Sequence, residues 1–174
     1  MRRRPDQLTT GEWAVLALVD EGSTHGFAVA RSMAPDGEVG RVWSMRRPLV
    51  YRTLDVLRER KLTQTAGTEA SRTGPQRTLV EATAEGHRKV ADWLVEPVAH
   101  VRDARSELLL KLLFLDRRGE APDTQLDAQR ERFHEQEREL RAVLDAAEGF
   151  SHTLALWRVE NTAAAVRFVD ALHR

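Results

Sequence analysis

Cysteine is absent from the 174 residues of the sequence. Disulfide bonds, thiolate nucleophiles and cysteine-ligated zinc are therefore excluded as sources of stability or chemistry. No apolar run approaches the ~18 residues that a membrane-spanning helix needs, and no apolar segment typical of a signal peptide follows the basic start Met1-Arg2-Arg3-Arg4. We therefore expect a cytoplasmic protein with no membrane segment.

Aromatic residues are scarce, at 6% of the chain, and the net charge at pH 7 is zero. Charged residues nevertheless make up 31% of the sequence, which is typical of helical proteins with arginine and glutamate on their exposed faces. The zero net charge conceals an uneven distribution, because the segment from Arg41 to Arg77 holds nine basic and three acidic residues, a net charge of +6. Such a local excess of positive charge is expected of a surface that binds nucleic acid.

Three short segments in the first third of the chain show helical periodicity. The first helix begins near Thr10 and ends before Gly22, and the second is predicted over His25 to Ala34. A third helix is predicted over Pro48 to Lys61, since proline is favoured in the first turn of a helix. The second helix is expected to bury Phe27, Ala30 and Met33. The third is expected to bury Val50, Leu54 and Leu57.

After the third helix the spacing of apolar residues changes to that of β-strands. Two strands are predicted, one beginning at Leu62 and the other over Gln76 to Ala82, with a long glycine-containing loop between them. Thr83 is expected to cap a fourth helix that ends before Pro97. This order predicts a winged helix-turn-helix DNA-binding domain over residues 1–96, in which the third helix enters the major groove.

Beyond Pro97 the sequence is helical throughout. The segment Ser106 to Leu115 is apolar nearly all round and therefore has to be buried on several sides. A helix beginning at Pro122 repeats apolar residues every seven positions, and a last helix, predicted to be capped by Ser151, has two apolar faces. The heptad repeat consists of Leu126, Phe133, Leu140 and Ala147. Because this apolar surface exceeds what the helices can cover alone, residues 97–174 are predicted to form a helical domain that mediates homodimerisation. The predicted fold class is thus mainly α, with a small β component from the wing.

The predicted DNA contacts lie mostly on the third helix and the wing. Tyr51 lies on the polar face of that helix, and Arg46 and Arg47 lie at its start, where the helix dipole also attracts phosphate. Asp55 is predicted to pair with a neighbouring arginine such as Arg58 rather than to read a cytosine. The complete set of predicted DNA contacts is Arg46, Arg47, Tyr51, Arg52, Arg58, Lys61, Arg72 and Arg77.

Several other residues leave two readings open. Arg72 and Arg77 either contact the DNA backbone or minor groove or are simply solvated, and Arg2-Arg3-Arg4 is either a minor-groove arm or a disordered tail. Trp13, Trp93 and Trp157 either pack in the core or line a pocket for a flat aromatic effector.

The residue patterns of enzymes and metal sites are missing from the sequence. The six histidines lie on different predicted elements, and His134-Glu135 lacks the second histidine of a zinc-protease helix. The sequence contains neither a phosphate-binding glycine loop nor a nucleophile elbow. We therefore expect no metal site, no cofactor and no enzymatic activity.

Several short motifs, in their order and spacing, resemble the PadR family of transcriptional regulators. They are Leu8-Thr9-Thr10-Gly11-Glu12, His25-Gly26-Phe27, Leu49-Val50-Tyr51-Arg52-Thr53-Leu54, Gly74-Pro75-Gln76-Arg77, Thr83-Ala84-Glu85-Gly86 and Leu110-Lys111-Leu112-Leu113-Phe114. The resemblance spans about residues 8 to 118, and the helices beyond it are similar to the longer type of that family. It implies a dimeric repressor that binds a pseudo-palindromic DNA operator and is released by a small molecule.

Two positions depart from the pattern of the family. A glycine commonly follows the recognition helix of the family, whereas this chain has Lys61 at that position. The sequence therefore does not determine the conformation of the turn after the third helix. The wing of the family tends to carry an aromatic residue where this chain has Val80-Glu81-Ala82. The alternatives to DNA binding are a winged helix that binds only protein and a small-molecule-binding protein without DNA activity. The first is disfavoured by the basic segment and requires that Tyr51 and the surrounding arginines are covered by the acidic C-terminal half of the chain. The second requires a large apolar pocket and a neutralised recognition helix.

Overall fold

The computed structural model describes residues 7–69 and 76–173 of the chain. Within these ranges four helices and a small sheet are followed by three further helices. The helices are α1 (Thr10–Asp20), α2 (Gly26–Ser32), α3 (Arg47–Glu59), α4 (Ala84–Val95), α5 (Leu109–Arg118), α6 (Asp123–Asp145) and α7 (Gly149–Leu172). The strands are β1 (Thr24–His25), β2 (Thr63–Glu69) and β3 (Arg77–Ala82). The predicted fold class, a mainly α protein with a winged helix-turn-helix followed by helices, is confirmed.

Helix α1 is the central helix of the first core. Its start is fixed by a capping box, in which the Thr9 hydroxyl accepts from the Glu12 amide at 2.9 Å and the Glu12 carboxylate accepts from the Thr9 amide at 2.6 Å. Every residue from Ala14 to Val19 is buried, so α1 is surrounded by the other elements of the domain. The rest of this core comes mainly from α2 to α5 and the segments between them, and it includes Val29, Val50, Leu57, Val90, Trp93, Leu110 and Phe114.

The sheet contains a strand that the sequence did not predict. Its order is β1-β3-β2, with both pairs antiparallel, and Thr24 and His25 of β1 lie opposite Val80 and Leu79. The second helix therefore starts at Gly26 rather than at His25, and it ends at Ser32 rather than at Ala34. A strand of two residues is too short to show an alternating pattern, so it is recognisable only from its pairing with the wing.

The wing is attached to α4 through a close backbone contact. Thr83 caps α4 as predicted, since its hydroxyl accepts from the Gly86 amide at 3.1 Å. The Thr83 amide also donates to the carbonyl of Leu62, at the start of the wing, at 3.0 Å. A Cβ atom at Gly86 would lie only 2.2 Å from that same carbonyl oxygen. Glycine is thus required at this position by the approach of the two segments.

The predicted helix from Ser106 to Leu115 is divided in the structure. A 3-10 turn (Val101–Asp103) and a π-helical turn (Ala104–Leu108) precede α5, which extends to Arg118. Leu108, in the π-helical turn, lies in a second core with α6 and α7, whereas Leu110 of α5 lies in the first core. The change of helical pitch thus allows one apolar segment to serve two cores, and the domain boundary after residue 96 stays a prediction.

Two arginines attach the end of α5 to the end of α1. Arg117 forms an ion pair with Glu21 at 2.6 Å and a second one with Glu38, and Arg118 forms one with Asp20. The hydrogen bonds with Glu21 raise the pKa of Arg117. These contacts hold α5, which leads into the C-terminal helices, against the winged-helix fold.

Helices α6 and α7 form an antiparallel hairpin, as shown by the ion pair of Arg130 with Asp170 at 2.5 Å. Leu126 and Phe133 of the predicted heptad repeat are buried. Leu140 and Ala147 are only partly buried. The prediction that Ser151 caps the last helix is wrong, because α7 starts at Gly149. Gly149 has a φ of 57° and turns the chain between the two helices, so Ser151 already lies within the first turn.

Candidate nucleic-acid interface

Helix α3 has one buried and one exposed side, as its sequence predicts. Val50, Leu54 and Leu57 are at most 8% exposed and pack on the first core. The helix runs over Arg47–Glu59, so the predicted limits of Pro48 and Lys61 were one residue late at the start and two residues late at the end. The opposite side exposes Tyr51, Arg52, Asp55, Arg58 and Glu59.

The N-terminus of α3 carries two arginines, and the amides of Leu49 and Val50 in its first turn donate to the carbonyl of Arg46. Arg46 occupies the capping position without making a side-chain hydrogen bond to the helix, and the first turn contains no acidic residue. Arg46 and Arg47 are both exposed. Basic side chains at this end oppose the helix dipole and do not favour the isolated helix. The same arrangement attracts an anion such as a phosphate group.

Arg47 lies over two aromatic rings beside the start of α3. Its guanidinium carbon is 5.3 Å from the centre of the Phe27 ring and 5.7 Å from the centre of the Tyr51 ring, within range of a cation–π interaction. Phe27 is 48% exposed, so the prediction that it is buried was wrong. It is the second residue of α2, where it faces Arg47 instead of the core.

Tyr51 is held in place by Gly26. A Cβ atom at Gly26 would lie 2.7 Å from Cε1 of the Tyr51 ring, so the ring lies directly against the backbone at the start of α2. Tyr51 is still 40% exposed. Its side chain therefore has a fixed position at the surface, which favours a contact made by the hydroxyl group at low entropic cost.

Strand β3 contributes Arg77 to the same region. The guanidinium Nη1 of Arg77 is 3.1 Å from Nε2 of His25, and Nδ1 of His25 accepts from the Ala28 amide at 3.0 Å, which caps α2. The wing arginine thus lies next to the start of α2. Sequence reasoning did not assign His25 or Phe27 to this surface, although both belong to the His25-Gly26-Phe27 motif.

The arginines on α3 differ in their partners. Arg58 pairs with Asp55 at 2.8 Å, as expected from their spacing. Within the described residues, neither Arg46, Arg47 nor Arg52 has a carboxylate within 4.0 Å. The acidic residues of the C-terminal helices therefore do not neutralise this face. We call the surface formed by His25, Phe27, Arg46, Arg47, Tyr51, Arg52, Arg58 and Arg77 the basic face.

Lys61 follows α3 in a left-handed conformation, with a φ of 58°. The Leu62 amide donates to the carbonyl of Leu57 and the Lys61 amide donates to that of Arg58, both at 2.9 Å. These two bonds define a Schellman motif. The turn that a glycine commonly makes after a recognition helix is therefore made here by a lysine, whose side chain is exposed.

The three tryptophans proposed for an effector pocket are not brought together within the chain. Trp13 and Trp93 stack with ring centres 5.2 Å apart and planes at 9°, and Trp93 also meets the edge of Phe114 at 6.4 Å. Trp93 is only 2% exposed, whereas Trp157 on α7 is 67% exposed.

Arg72 and Arg2-Arg3-Arg4 lie outside the described residues.

Residues 7–69 and 76–173 contain neither a metal-binding cluster nor a membrane-spanning helix. No three histidine, aspartate or glutamate side chains in these ranges lie close enough together to hold a metal ion. In the same ranges, none of the helices combines the length and apolar character needed to cross a membrane.

The sequence matches no known family model and no curated protein. Among solved structures, the chain is similar to PadR of Bacillus subtilis in complex with operator DNA, with 20% identity, a TM-score of 0.47, and coverage of 92% of this chain and 96% of that chain. The same protein in complex with p-coumaric acid gives 20% identity, a TM-score of 0.45 and coverage of 94% and 96%. The smu.1604c protein of Streptococcus mutans UA159 gives 13% identity, a TM-score of 0.44 and coverage of 94% and 98%. Because these identities are 20% or lower and the TM-scores are below 0.5, the function of this chain has to be inferred from its own surface.

Proposed function

We propose that this chain is a sequence-specific DNA-binding transcriptional regulator of the PadR kind, which acts in the cytoplasm. The observation that carries the proposal is the exposed basic face, in which Arg46, Arg47 and Arg52 have no carboxylate partner among the described residues. An uncompensated cluster of guanidinium groups at the start of an exposed helix is suited to phosphates on either side of a DNA groove. A module that bound only protein would not need this charge.

In the proposed complex, α3 lies in the major groove. Arg46 and Arg47 contact phosphates at the N-terminal end of the helix, and Tyr51 and Arg52 reach base edges or phosphates from its exposed side. Arg58 and Lys61 extend the basic surface toward the end of the helix, and Arg77 brings the wing to the adjacent backbone. Phosphate contacts supply the affinity and fix the register of the protein, whereas base contacts give the sequence preference.

Substitution of Arg47 tests this proposal. Arg47→Gln should weaken binding to the DNA upstream of the gene for this protein by about tenfold and make the salt dependence less steep, because one phosphate contact is lost. Fluorescence anisotropy with labelled duplex measures both quantities. Arg138→Gln, which removes an exposed arginine from α6, is the matched control and should bind like the unmodified protein. Equal loss in the two variants would refute the assignment of the basic face.

We propose further that the chain is a homodimer formed through α7. Large apolar side chains on this helix recur at intervals of three, four, seven or eleven residues and therefore lie along one exposed stripe. The stripe consists of Phe150 (80% exposed), Leu154 (39%), Trp157 (67%), Phe168 (38%) and Leu172 (44%). An exposed apolar stripe of this length is typical of an interface between subunits. A pseudo-palindromic site requires two copies of the chain with their recognition helices about 34 Å apart.

The regulator is proposed to be a repressor that leaves DNA when a small aromatic or amphipathic effector binds. The support is the resemblance of the sequence motifs and the position of Trp93, whose Nε1 donates to Glu107 in the π-helical turn at 2.9 Å. This contact joins the first core to the segment that leads into the dimer helices. Of Trp13, Trp93 and Trp157, only Trp157 is largely exposed in the single chain. Loss of DNA binding upon addition of a cell extract or purified effector would support release.

A further inference from the structure

A large cleft lies beside α7, away from α3. It has a volume of about 720 Å³ and is bounded by the 3-10 and π-helical turns on one side and by α6 and α7 on the other. Pockets that bind small molecules usually have volumes of about 300–1,000 Å³. The cleft is thus large enough for a ligand of substantial size.

The charged side chains that line the cleft are all basic. Arg102, Arg105 and Arg158 line it together with His100, and none of the described residues that line it is acidic. Within residues 7–69 and 76–173, Arg105 and Arg158 have no carboxylate within 4.0 Å. Arg102 has only its chain neighbour Asp103, at 3.9 Å. Guanidinium groups gathered without counter-charges favour an anion, and they bind phosphate or carboxylate groups with two parallel hydrogen bonds.

The neutral polar side chains of the cleft already have partners in the protein. The Asn161 amide donates to a backbone carbonyl at 2.6 Å and the Thr162 hydroxyl donates to another at 2.9 Å. The Gln136 amide donates to the carbonyl of Ala99. The guanidinium groups are therefore the main donors left for a ligand, which again favours an anionic one.

An aromatic wall completes the cleft. Trp157 lines it with 67% of its surface exposed, and Leu140 and Val101 lie around the same space. An indole face of this kind stacks on flat rings. Trp157 also belongs to the apolar stripe of α7, whereas Arg158 lies one residue further, on the flank of the helix that faces the turns. The cleft and the proposed dimer surface therefore share Trp157, and Arg158 lies at the edge of that surface.

We propose that this cleft binds a flat aromatic molecule that carries two or more negative charges, such as a nucleoside phosphate. The ring stacks on Trp157, and the anionic groups contact Arg105 and Arg158. A ligand with one charge would leave most of the guanidinium groups unpaired, and a small aromatic acid would fill little of the volume. A second copy of the chain would have to supply carboxylates, which its apolar α7 stripe does not contain. This proposal does not depend on DNA binding.

Isothermal titration calorimetry on the full chain tests the proposal with three probes, all without metal ions. ATP combines the ring with several charges, inorganic triphosphate has the charges alone, and benzoate has a ring with one charge. ATP should bind with a dissociation constant below about 1 mM and at least about tenfold more tightly than either of the others. Equal binding of ATP and triphosphate would reveal a non-specific anion patch, and the absence of ATP binding would also overturn the proposal.

Two variants locate the site. Arg158→Gln should weaken ATP binding at least about tenfold, whereas Arg167→Gln, an exposed arginine further along α7, should leave it unchanged. Trp157→Leu should weaken ATP binding and have little effect on triphosphate, because the ring contact alone is lost. If Arg158→Gln changed the affinity for DNA or the mass of the oligomer but not ATP binding, the cleft would belong to those interfaces and the proposal would be wrong. If the unmodified protein bound ATP but not DNA, only the proposed function would be refuted.

Discussion

Lys61 is the residue at which the demands of folding and of the proposed DNA binding are most clearly opposed. A left-handed conformation costs an ordinary L-residue about 1–2 kcal/mol, and glycine avoids most of this cost. The chain nevertheless places a lysine there, with a φ of 58°, directly after the proposed recognition helix. Its charge at that position is the feature that a glycine would not provide.

Lys61→Gly should therefore make the protein more stable and a weaker DNA binder. We expect the free energy of unfolding to increase by about 1 kcal/mol, because the Schellman motif is retained without the strain. The affinity for DNA should fall, and the salt slope should become shallower by about one unit. Urea unfolding and anisotropy titrations measure the two effects. Lys61→Ala is the control, since it removes the charge but not the strain. If it stabilised the protein as much as glycine does, the strain would not be the cause.

Some contacts of individual residues at the basic face could be predicted from the sequence, and others could not. The pairing of Asp55 with Arg58 follows from their spacing on a helix, and it is observed. The exposure of Phe27 did not follow, because an apolar residue at a helical interval is usually buried. Its position depends on Gly26, which admits the Tyr51 ring, and on Arg47, which covers both rings. Such contacts between distant segments leave no periodic signal.

Among the helices and strands, those predicted correctly from the sequence are the ones that depend on residues within the element itself. Helix α3, the two wing strands and the capping of α4 by Thr83 depend on the alternation of apolar residues or on a single side-chain hydrogen bond. Strand β1 and the π-helical turn Ala104–Leu108 depend on packing instead. The first exists only because β3 lies beside it, and the second because two cores share one apolar segment. Neither requirement can be recognised from the residues of the element itself.

Helix α5 carries a lysine that is almost completely buried. Lys111 is 1% exposed, lies over the Trp93 ring at 5.3 Å and is 3.6 Å from Glu107, and its amino group donates to the carbonyl of Glu96. Burial lowers the pKa of Lys111 from its ordinary value of 10.5, although the nearby glutamates oppose this shift. The unfolded chain, in which the lysine is solvated, therefore binds a proton more readily than the folded one.

This shift predicts how stability changes with pH. Between the lowered pKa and 10.5, the unfolded state holds more protons, so the free energy of unfolding should rise with pH across that window. Lys111→Met should remove most of this rise in the pH range just below 10.5. Lys89→Met, at a position on α4 that is less buried, should retain it. Urea unfolding at several pH values measures the slope, and identical slopes in the unmodified protein and the Lys111 variant would contradict the prediction.

The whole molecule is expected to act as a dimer. The stripe along α7 leaves Phe150, Trp157 and Leu172 between 44% and 80% exposed in the single chain, and burial of each such side chain is worth about 1.5–3 kcal/mol. One chain has a mass of 19.7 kDa. Light scattering at micromolar concentration should therefore give twice that mass. Phe150→Ser combined with Leu172→Ser should reduce this mass toward that of one chain. A monomer in the unmodified protein would refute the proposed interface.

The salt dependence of DNA binding tests the central claim most directly. The duplex upstream of the gene for this protein is titrated with the unmodified chain at several salt concentrations, and the logarithm of the binding constant is plotted against that of the salt concentration. Two basic faces, each with several arginines that have no carboxylate partner in the described part of the chain, predict a slope of about −4 or steeper, because each neutralised phosphate contributes about −0.9. A slope near zero, or no binding to that duplex at low salt, would contradict the assignment of α3 and its arginines as a DNA-binding surface.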